Sequence, residues 1–210
     1  MTNPTLDYYN KYAVEFSKDT FDVKFTETQD LFLSLLKPNS CILDFGCGSG
    51  RDTRYFLQQG YRVEAIDGSK SLCEIAQKNT GIPIRQMLFQ DLRESDEYDG
   101  IWACSSILHL AKNELTTVMK KMIRALKKNG IIYTSFKYGD FEGERNGRYF
   151  TDFTEKSFAE FLEKLKIFNE NTKNTEDKVS EITIEKIWIT EDVRPGRGDE
   201  KWLNLILRKS

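Results

Sequence analysis

Ile42-Leu43-Asp44-Phe45-Gly46-Cys47-Gly48-Ser49-Gly50 runs an apolar strand straight into a glycine-rich turn, and Arg51-Asp52-Thr53 opens a helix behind it. Glycines at alternate positions remove Cβ atoms where the chain turns sharply and a ligand comes close. The backbone N–H groups that follow gather at a helix N-terminus, which favours negative charge. Such a turn takes the charged end of an adenosine-bearing cofactor.

Outward from this turn, strands alternate with helices. Before it, Tyr9, Tyr12, Ala13 and Phe16 share one helical face, and Leu31, Phe32, Leu35 and Leu36 mark a second helix that Pro38 ends. After it, the helix from Arg51 is closed by Gly60, and Arg62 to Ile66 is a second strand with Asp67 at its tip. A helix around Leu72, Ile75 and Ala76 stops before Gly81, and Ile84 to Leu88 reads as a third strand. Tyr98 to Cys104 reads as a buried fourth strand, and Leu115, Val118, Met119, Met122, Ile123 and Leu126 as a long apolar helical stripe. Asn129-Gly130 is expected to end that helix, with a fifth strand from Ile131 to Tyr138. Phe158, Phe161, Leu162 and Leu165 mark a further helix, and residues 169 to 181 an exposed turn region.

Strands alternating with helices predict an α/β fold, a doubly wound, mostly parallel sheet covered on both faces. The last strands, Ile182 to Val193 and Trp202 to Leu207, are joined only by Arg194 to Lys201. That link is too short for a crossover helix, so the two form a terminal antiparallel hairpin. The 210 residues are read as a single domain: N-terminal lid helices over 1–38, a cofactor-binding half over 40–138 and a substrate-side half over 139–210.

Formal charge is −2, so there is no bulk signature for nucleic acid or an anionic membrane. Cys41, Cys47, Cys73 and Cys104 form no CxxC pair and read as reduced thiols of a cytoplasmic protein. His109 is the single histidine, so no multi-histidine metal site forms and no metal is expected. No signal peptide is apparent, and no apolar run approaches the ~20 residues that span a bilayer.

Asp67 ends the second strand about 20 residues after the glycine turn, where a carboxylate accepts hydrogen bonds from ribose hydroxyls. It is also placed to cap the next helix, a role Ser69 can fill instead. A nicotinamide dinucleotide is the competing cofactor. The Gly-x-Gly-x-Gly spacing and the two helices before the first strand argue against it.

The segments Leu43 to Gly50, Ala65-Ile66-Asp67, Tyr98-Asp99-Gly100-Ile101 through Leu108-His109, and Leu126 to Ile131 resemble those of the class I S-adenosylmethionine-dependent methyltransferases. Lys128 and Asn129 replace the usual proline and first glycine of the last segment. Within that family the chain is most similar to small bacterial enzymes of the tellurite-resistance and general small-molecule type. The resemblance implies the seven-stranded, Rossmann-like sheet, S-adenosylmethionine as cofactor and S-adenosylhomocysteine as product. It implies that Asp44 orients the turn and approaches the methionine amino group, that Gly46, Cys47 and Gly48 lie against the methionine moiety, and that Asp67 holds the ribose. Gly68 and Ser69 flank the adenine in that scheme, and Phe89, Gln90 and Asp91 occupy the segment that reads its edge. Ala103, Cys104 and Ser105 lie beneath the sulfonium, and the leading helix, with Tyr8, Tyr9 and Tyr12, closes over the cofactor.

Methyl transfer from a sulfonium needs alignment and a dry site more than a catalytic triad. A base is needed only when the acceptor carries a proton. His109 is the candidate base, with Lys137 a weaker one because it must first lose its proton through burial. Two loops at the carboxyl edge of the sheet carry Arg145, Arg148, Tyr149, Arg194, Arg197 and Trp202. With Tyr8 they point to an anionic or planar acceptor, because arginine forks suit oxyanions. Internal ion pairs with the neighbouring acidic residues are the alternative use of these arginines. The leading expectation is a methyltransferase with a small-molecule acceptor and no nucleic-acid or membrane partner. The alternatives are an RNA methyltransferase acting on a tRNA base and a non-catalytic S-adenosylmethionine-binding protein.

Overall fold

The computed structural model describes residues 3–171, 180–194 and 196–210. Three helices lead: α1 (Pro4–Lys11), α2 (Ala13–Thr20) and α3 (Thr26–Leu33). An alternating series follows: β1 (Cys41–Phe45), α4 (Arg51–Gln58), β2 (Arg62–Asp67), α5 (Lys70–Thr80), β3 (Arg85–Gln86), β4 (Tyr98–Ala103), α6 (Lys112–Ala125) and β5 (Leu126–Lys137). A small hairpin, β6 (Glu142–Arg145) and β7 (Arg148–Thr151), precedes α7 (Glu155–Asn171), β8 (Ile182–Glu191) and β9 (Lys201–Lys209).

The main sheet has seven strands in the order β3-β2-β1-β4-β5-β9-β8. The first five are parallel, and β9 runs antiparallel to both β5 and β8. Strand order reverses between β1 and β4, so the connections after them leave in opposite directions, the switch point at which such sheets open a cleft.

Alternation along the strands divides the core between two faces. Leu43, Phe45, Ile101 and Phe136 pack beneath α6 and α7 with Val118, Met122 and Phe158. Ile42, Trp102, Tyr133 and Ile206 pack on the other face with Phe32 of α3 and Phe56 of α4. Trp102 stacks on Tyr133 with ring centroids 4.0 Å apart, and Phe32 and Phe56 each meet Trp102 at 5.1 Å.

Some boundaries differ from those expected. The leading helical pattern is two helices, because Tyr12 leaves the helical basin at φ −107° and ψ 22°. The β3 strand is two residues long and pairs only with β2, since Phe89–Asp91 already turn into a 3-10 helix. The α6 helix stops at Ala125 rather than at Asn129-Gly130, and β5 starts at once with a bulge. Pairing with β4 jumps there from Tyr98↔Leu126 to Gly100↔Ile131. Asn129 takes φ 63° within that bulge, and a Cβ on Gly130 would sit 2.9 Å from the Lys127 carbonyl oxygen. Residues 169–171 continue α7, and the rest of the expected turn region through 179 lies outside the described residues. Among the described residues no helix is long and apolar enough to cross a membrane.

Candidate active site

A cleft of about 660 Å³ lies over the carboxyl ends of the parallel strands. Its floor is the turn after β1. Gly46 and Cys47 donate their N–H groups to the Ile66 carbonyl (3.0 and 2.9 Å), which clips the turn to β2. Gly46 has φ +88°, and a Cβ there would lie 2.5 Å from the Ser106 Cβ and 3.0 Å from the Phe89 ring. Glycine is thus required both by backbone conformation and by space.

Asp67 stands at the tip of β2 on the cleft wall. Its carboxylate accepts N–H bonds from Gly48 (2.9 Å) and Ser69 (2.8 Å), so one side chain fixes both the glycine turn and the start of α5. Burial raises its pKa to about 6 against the pull of those backbone donors. Ser69 caps α5 by accepting the Leu72 N–H at 3.2 Å. Asp67 is thereby free of the capping role and retains lone pairs for hydroxyl donors. Gly68 lines the cleft, while Ser69 is buried behind it.

Asp44 does not reach the cleft surface. It is buried beneath the turn and accepts the Thr53 hydroxyl at 2.5 Å. Beside it, Asp52 is held by Gln29 (2.7 Å), Arg51 (2.8 Å) and the Trp102 indole (2.8 Å). Burial, with the nearby Asp52 charge, raises the Asp44 pKa to about 8. A carboxylate raised on folding contributes its full stability below its unfolded value and loses it as pH climbs to the folded one. The thermal midpoint of the free protein is therefore expected to fall as pH rises from about 4 to about 8, and Asp44→Asn to flatten that fall. Scanning calorimetry reads both, and an equal fall in the variant would contradict the assignment.

The remaining cofactor candidates divide. Phe89, Gln90, Cys104 and Ser105 line the cleft. Asp91 instead faces outward beside Arg93 at 3.9 Å, and Ala103 is buried within β4. Tyr12 is 38% exposed and packs on Tyr8 (4.8 Å) away from the cleft. Leu6, Tyr9 and Phe16 are among the lid residues that do face it. Sequence reading gave Phe16 no role at the site and did not single out Arg51, which enters the cleft from the first position of α4 and lies 4.9 Å over Phe25. Its place directly after the last glycine was the available signal. Asn10, whose side-chain oxygen meets Ser69 Oγ (2.8 Å) and the Ser71 N–H (3.2 Å), ties the lid to α5 across about sixty positions and had none.

The two arginine segments both border the opposite wall. Arg145, Arg148, Arg194, Arg197 and Trp202 all line the cleft, while Tyr8 and Tyr149 stand behind it. Two of these four arginines are paired with carboxylates. Arg145 binds Asp152 (2.5 Å), Arg194 forks onto Asp192, and the Trp202 indole donates to Asp192 (3.1 Å). Lys137 touches Glu200 and lies 4.6 Å over the Trp202 ring, with its pKa lowered to about 8 by burial. Arg148 has no carboxylate partner among the described residues. It stacks 4.4 Å over Tyr8, and its Nε is buried without a hydrogen-bond partner.

His109 follows β4 and is locked on both sides. Its Nδ1 meets the Tyr149 carbonyl oxygen at 2.6 Å and its Nε2 meets the Tyr9 hydroxyl at 2.8 Å. A carbonyl only accepts, so Nδ1 carries the proton and Nε2 accepts from Tyr9. Burial, and then Arg148, lower the His109 pKa to about 4.

Residues 42–130 match the family model described as a methyltransferase domain. No curated protein sequence matches the chain. Several solved structures share its fold. The 1,6-didemethyltoxoflavin-N1-methyltransferase of Burkholderia thailandensis, with 1,6-didemethyltoxoflavin and S-adenosylhomocysteine bound, is 22% identical over 100% of this chain and 92% of that one, with a TM-score of 0.68. The N-methyltransferase NodS of Bradyrhizobium japonicum WM9, in complex with S-adenosyl-L-homocysteine, is 15% identical over 99% of both chains, with a TM-score of 0.70. A TehB-like S-adenosylmethionine-dependent methyltransferase of Corynebacterium glutamicum is 18% identical over 98% of both, with a TM-score of 0.67. At these identities the structures speak for the fold, and the family model speaks for the domain. The glycine turn and Asp67 lie within residues 42–130, which match the methyltransferase domain, and the whole chain shares its fold with S-adenosylmethionine-dependent methyltransferases.

Proposed function

We propose that this protein moves a methyl group from S-adenosylmethionine to a small acceptor that bears a negative charge on or beside a planar ring. The observation that carries the acceptor class is Arg148: a guanidinium at the cleft with a buried, unpartnered Nε and no carboxylate to neutralise it. An orphaned buried donor costs about 1–3 kcal/mol, which an acceptor oxygen would restore. The rings of Tyr8, Tyr9 and Phe150 lie 4.4, 5.7 and 5.2 Å from the same guanidinium and offer a flat wall beside it. The toxoflavin methyltransferase, with a similar fold, is a relative whose named substrate is a small molecule.

The residues at the other end of the cleft fit the cofactor. Bare backbone at Gly46 and Gly48 admits close approach, Asp67 offers carboxylate oxygens to the ribose, and Gly68 brings bare backbone to the cleft wall, where Leu6 packs against it. Arg51, Phe16 and Tyr9 enclose the space between these groups and the arginine wall. Bound S-adenosylmethionine supplies an electrophilic methyl group with its leaving group and positive charge already built in. The chain's own task is alignment and exclusion of water, worth about 7–11 kcal/mol when the reacting atoms are well oriented. Four free cysteines fit a cytoplasmic setting.

The test is incubation of the protein with radiolabelled S-adenosylmethionine and fractionated cell extract. Label is expected in acidic small molecules retained on an anion-exchange column. Label in RNA, with steep loss of binding as salt rises, would favour the nucleic-acid reading instead. Cofactor uptake with no label transferred to any fraction would leave a binding protein.

A further inference from the structure

We infer that Tyr9 takes the proton from the acceptor during methyl transfer, with His109 as the positioning residue that receives the Tyr9 proton in turn. The inference rests on the proposed methyl transfer and narrows the acceptor to one whose reactive atom carries hydrogen, a hydroxyl or a ring N–H.

The geometry defines the direction of the relay. Tyr149 contributes only a carbonyl to His109, so Nδ1 is a fixed donor and Nε2 a fixed acceptor. The Tyr9 hydroxyl therefore gives its proton to Nε2 at 2.8 Å. Arg148 Nη1 points at the same phenol oxygen from 3.4 Å. The phenol oxygen thus has its donor direction used by His109 and keeps a lone pair, beside the one Arg148 approaches, for a group in the cleft that both Tyr9 and His109 line. Phe150 holds the imidazole from the side, with ring centroids 4.8 Å apart. The lid itself is anchored over the hairpin, because the Tyr149 N–H donates to Thr5 Oγ1 at 3.0 Å.

The step balances. The acceptor's X–H bond breaks and its proton goes to Tyr9 Oη. Tyr9's own proton passes to His109 Nε2. The X–CH₃ bond forms as the sulfur–methyl bond breaks, and that electron pair stays on sulfur. One positive charge disappears from the sulfonium as one appears on the imidazole, so the closed cleft keeps its net charge. The proton leaves His109 to water when the lid opens. The charged and titratable groups facing this pair are Arg148 on β7, Asp67 on β2, Tyr8 on α1 and Arg194 in the β8–β9 loop. Burial keeps the imidazole neutral, and hence able to accept, down to a pH of about 4.

Because the chain has a single histidine, ¹⁵N-histidine labelling gives one imidazole spectrum. At neutral pH it is expected to show a proton on Nδ1 and none on Nε2, with the Nε2 signal shifted in Tyr9→Phe. In single turnovers with labelled S-adenosylmethionine and the low-mass extract fraction, Tyr9→Phe is expected to transfer about 10²–10⁴-fold more slowly. Its S-adenosylhomocysteine affinity should be unchanged. His109→Ala should be slowed likewise and partly rescued by added imidazole, which a purely structural role would not allow. A proton on Nε2, or a Tyr9→Phe rate equal to that of the unaltered protein, would overturn the relay in an otherwise active enzyme. No transfer by the unaltered protein into any fraction would overturn the proposed function, and the relay with it.

Discussion

Asp67→Ala is expected to weaken S-adenosylmethionine binding by about 10²–10⁴-fold, the largest loss from any one substitution in the cleft. Two contributions add. Each hydrogen bond from a ribose hydroxyl to a charged carboxylate is worth about 1.5–3 kcal/mol. The same side chain also ties down the Gly48 and Ser69 N–H groups at 2.9 and 2.8 Å, so its removal loosens the turn proposed to receive the methionine end. Asp67→Asn separates the two. It keeps the size and one acceptor oxygen, and it should lose less than alanine while still losing the charge. The pH dependence has the same origin. With a free-protein pKa of about 6, the carboxylate gains a proton as pH falls through that value. Affinity measured by calorimetry is expected to decline below about pH 6 in the unaltered protein and not in Asp67→Asn. Equal affinity in Asp67→Ala and the unaltered protein would remove Asp67 from the site.

The second large effect belongs to the acceptor side. Arg148→Ala is expected to lower kcat/KM for the acceptor by about 10²–10³-fold, from the loss of a bidentate, charge-assisted pair. Cofactor affinity should stay within a few fold, because Arg148 faces the opposite wall from Asp67. Arg148 also stacks on Tyr8, so alanine removes packing as well as charge. Arg148→Lys keeps the charge without the fork and should recover only part of the loss. By contrast, Arg194→Ala would strip Asp192 of its partner and destabilise the loop rather than act on the acceptor alone. Acceptor kinetics indifferent to Arg148 would show that its orphaned Nε serves no ligand.

The sequence-legible part of the fold follows from short-range physics. Gly-x-Gly-x-Gly after an apolar run, Ser69 before Lys70 and Gly81 after Thr80 announce elements through local backbone rules, and the capping bond from Leu72 and the φ of +76° at Gly81 are where those rules put them. The short link from Arg194 to Lys201, with no room for a crossover helix, likewise gives the antiparallel end of the sheet. The β6–β7 hairpin went unread, although Asn146-Gly147 is a type I′ turn pair with φ 51° and 75°. Its charged strands alternate weakly, so they carry little of the period-two pattern that marks a strand.

At the site, residues fixed by chain neighbours were easier to place than those fixed by packing. Gly46, Gly48 and Asp67 reach the cleft because strand ends point there. The lid does not follow from periodicity in the same way. Tyr8, Tyr9 and Tyr12 are equivalent as letters, and only the break at Tyr12 and the partners at His109 and Arg148 decide that Tyr9 faces inward. Pairing was also hidden. Nothing local says that Asp192 consumes Arg194 and Asp152 consumes Arg145 while Arg148 keeps no carboxylate among the described residues.

A crystal structure of the protein grown with S-adenosylhomocysteine tests the central claim most directly. The expected density places both ribose hydroxyls within hydrogen-bond distance of the Asp67 carboxylate, with the amino-acid end against Gly46 to Gly48. Ligand bound elsewhere, or a ribose held with no contact to Asp67, would contradict it.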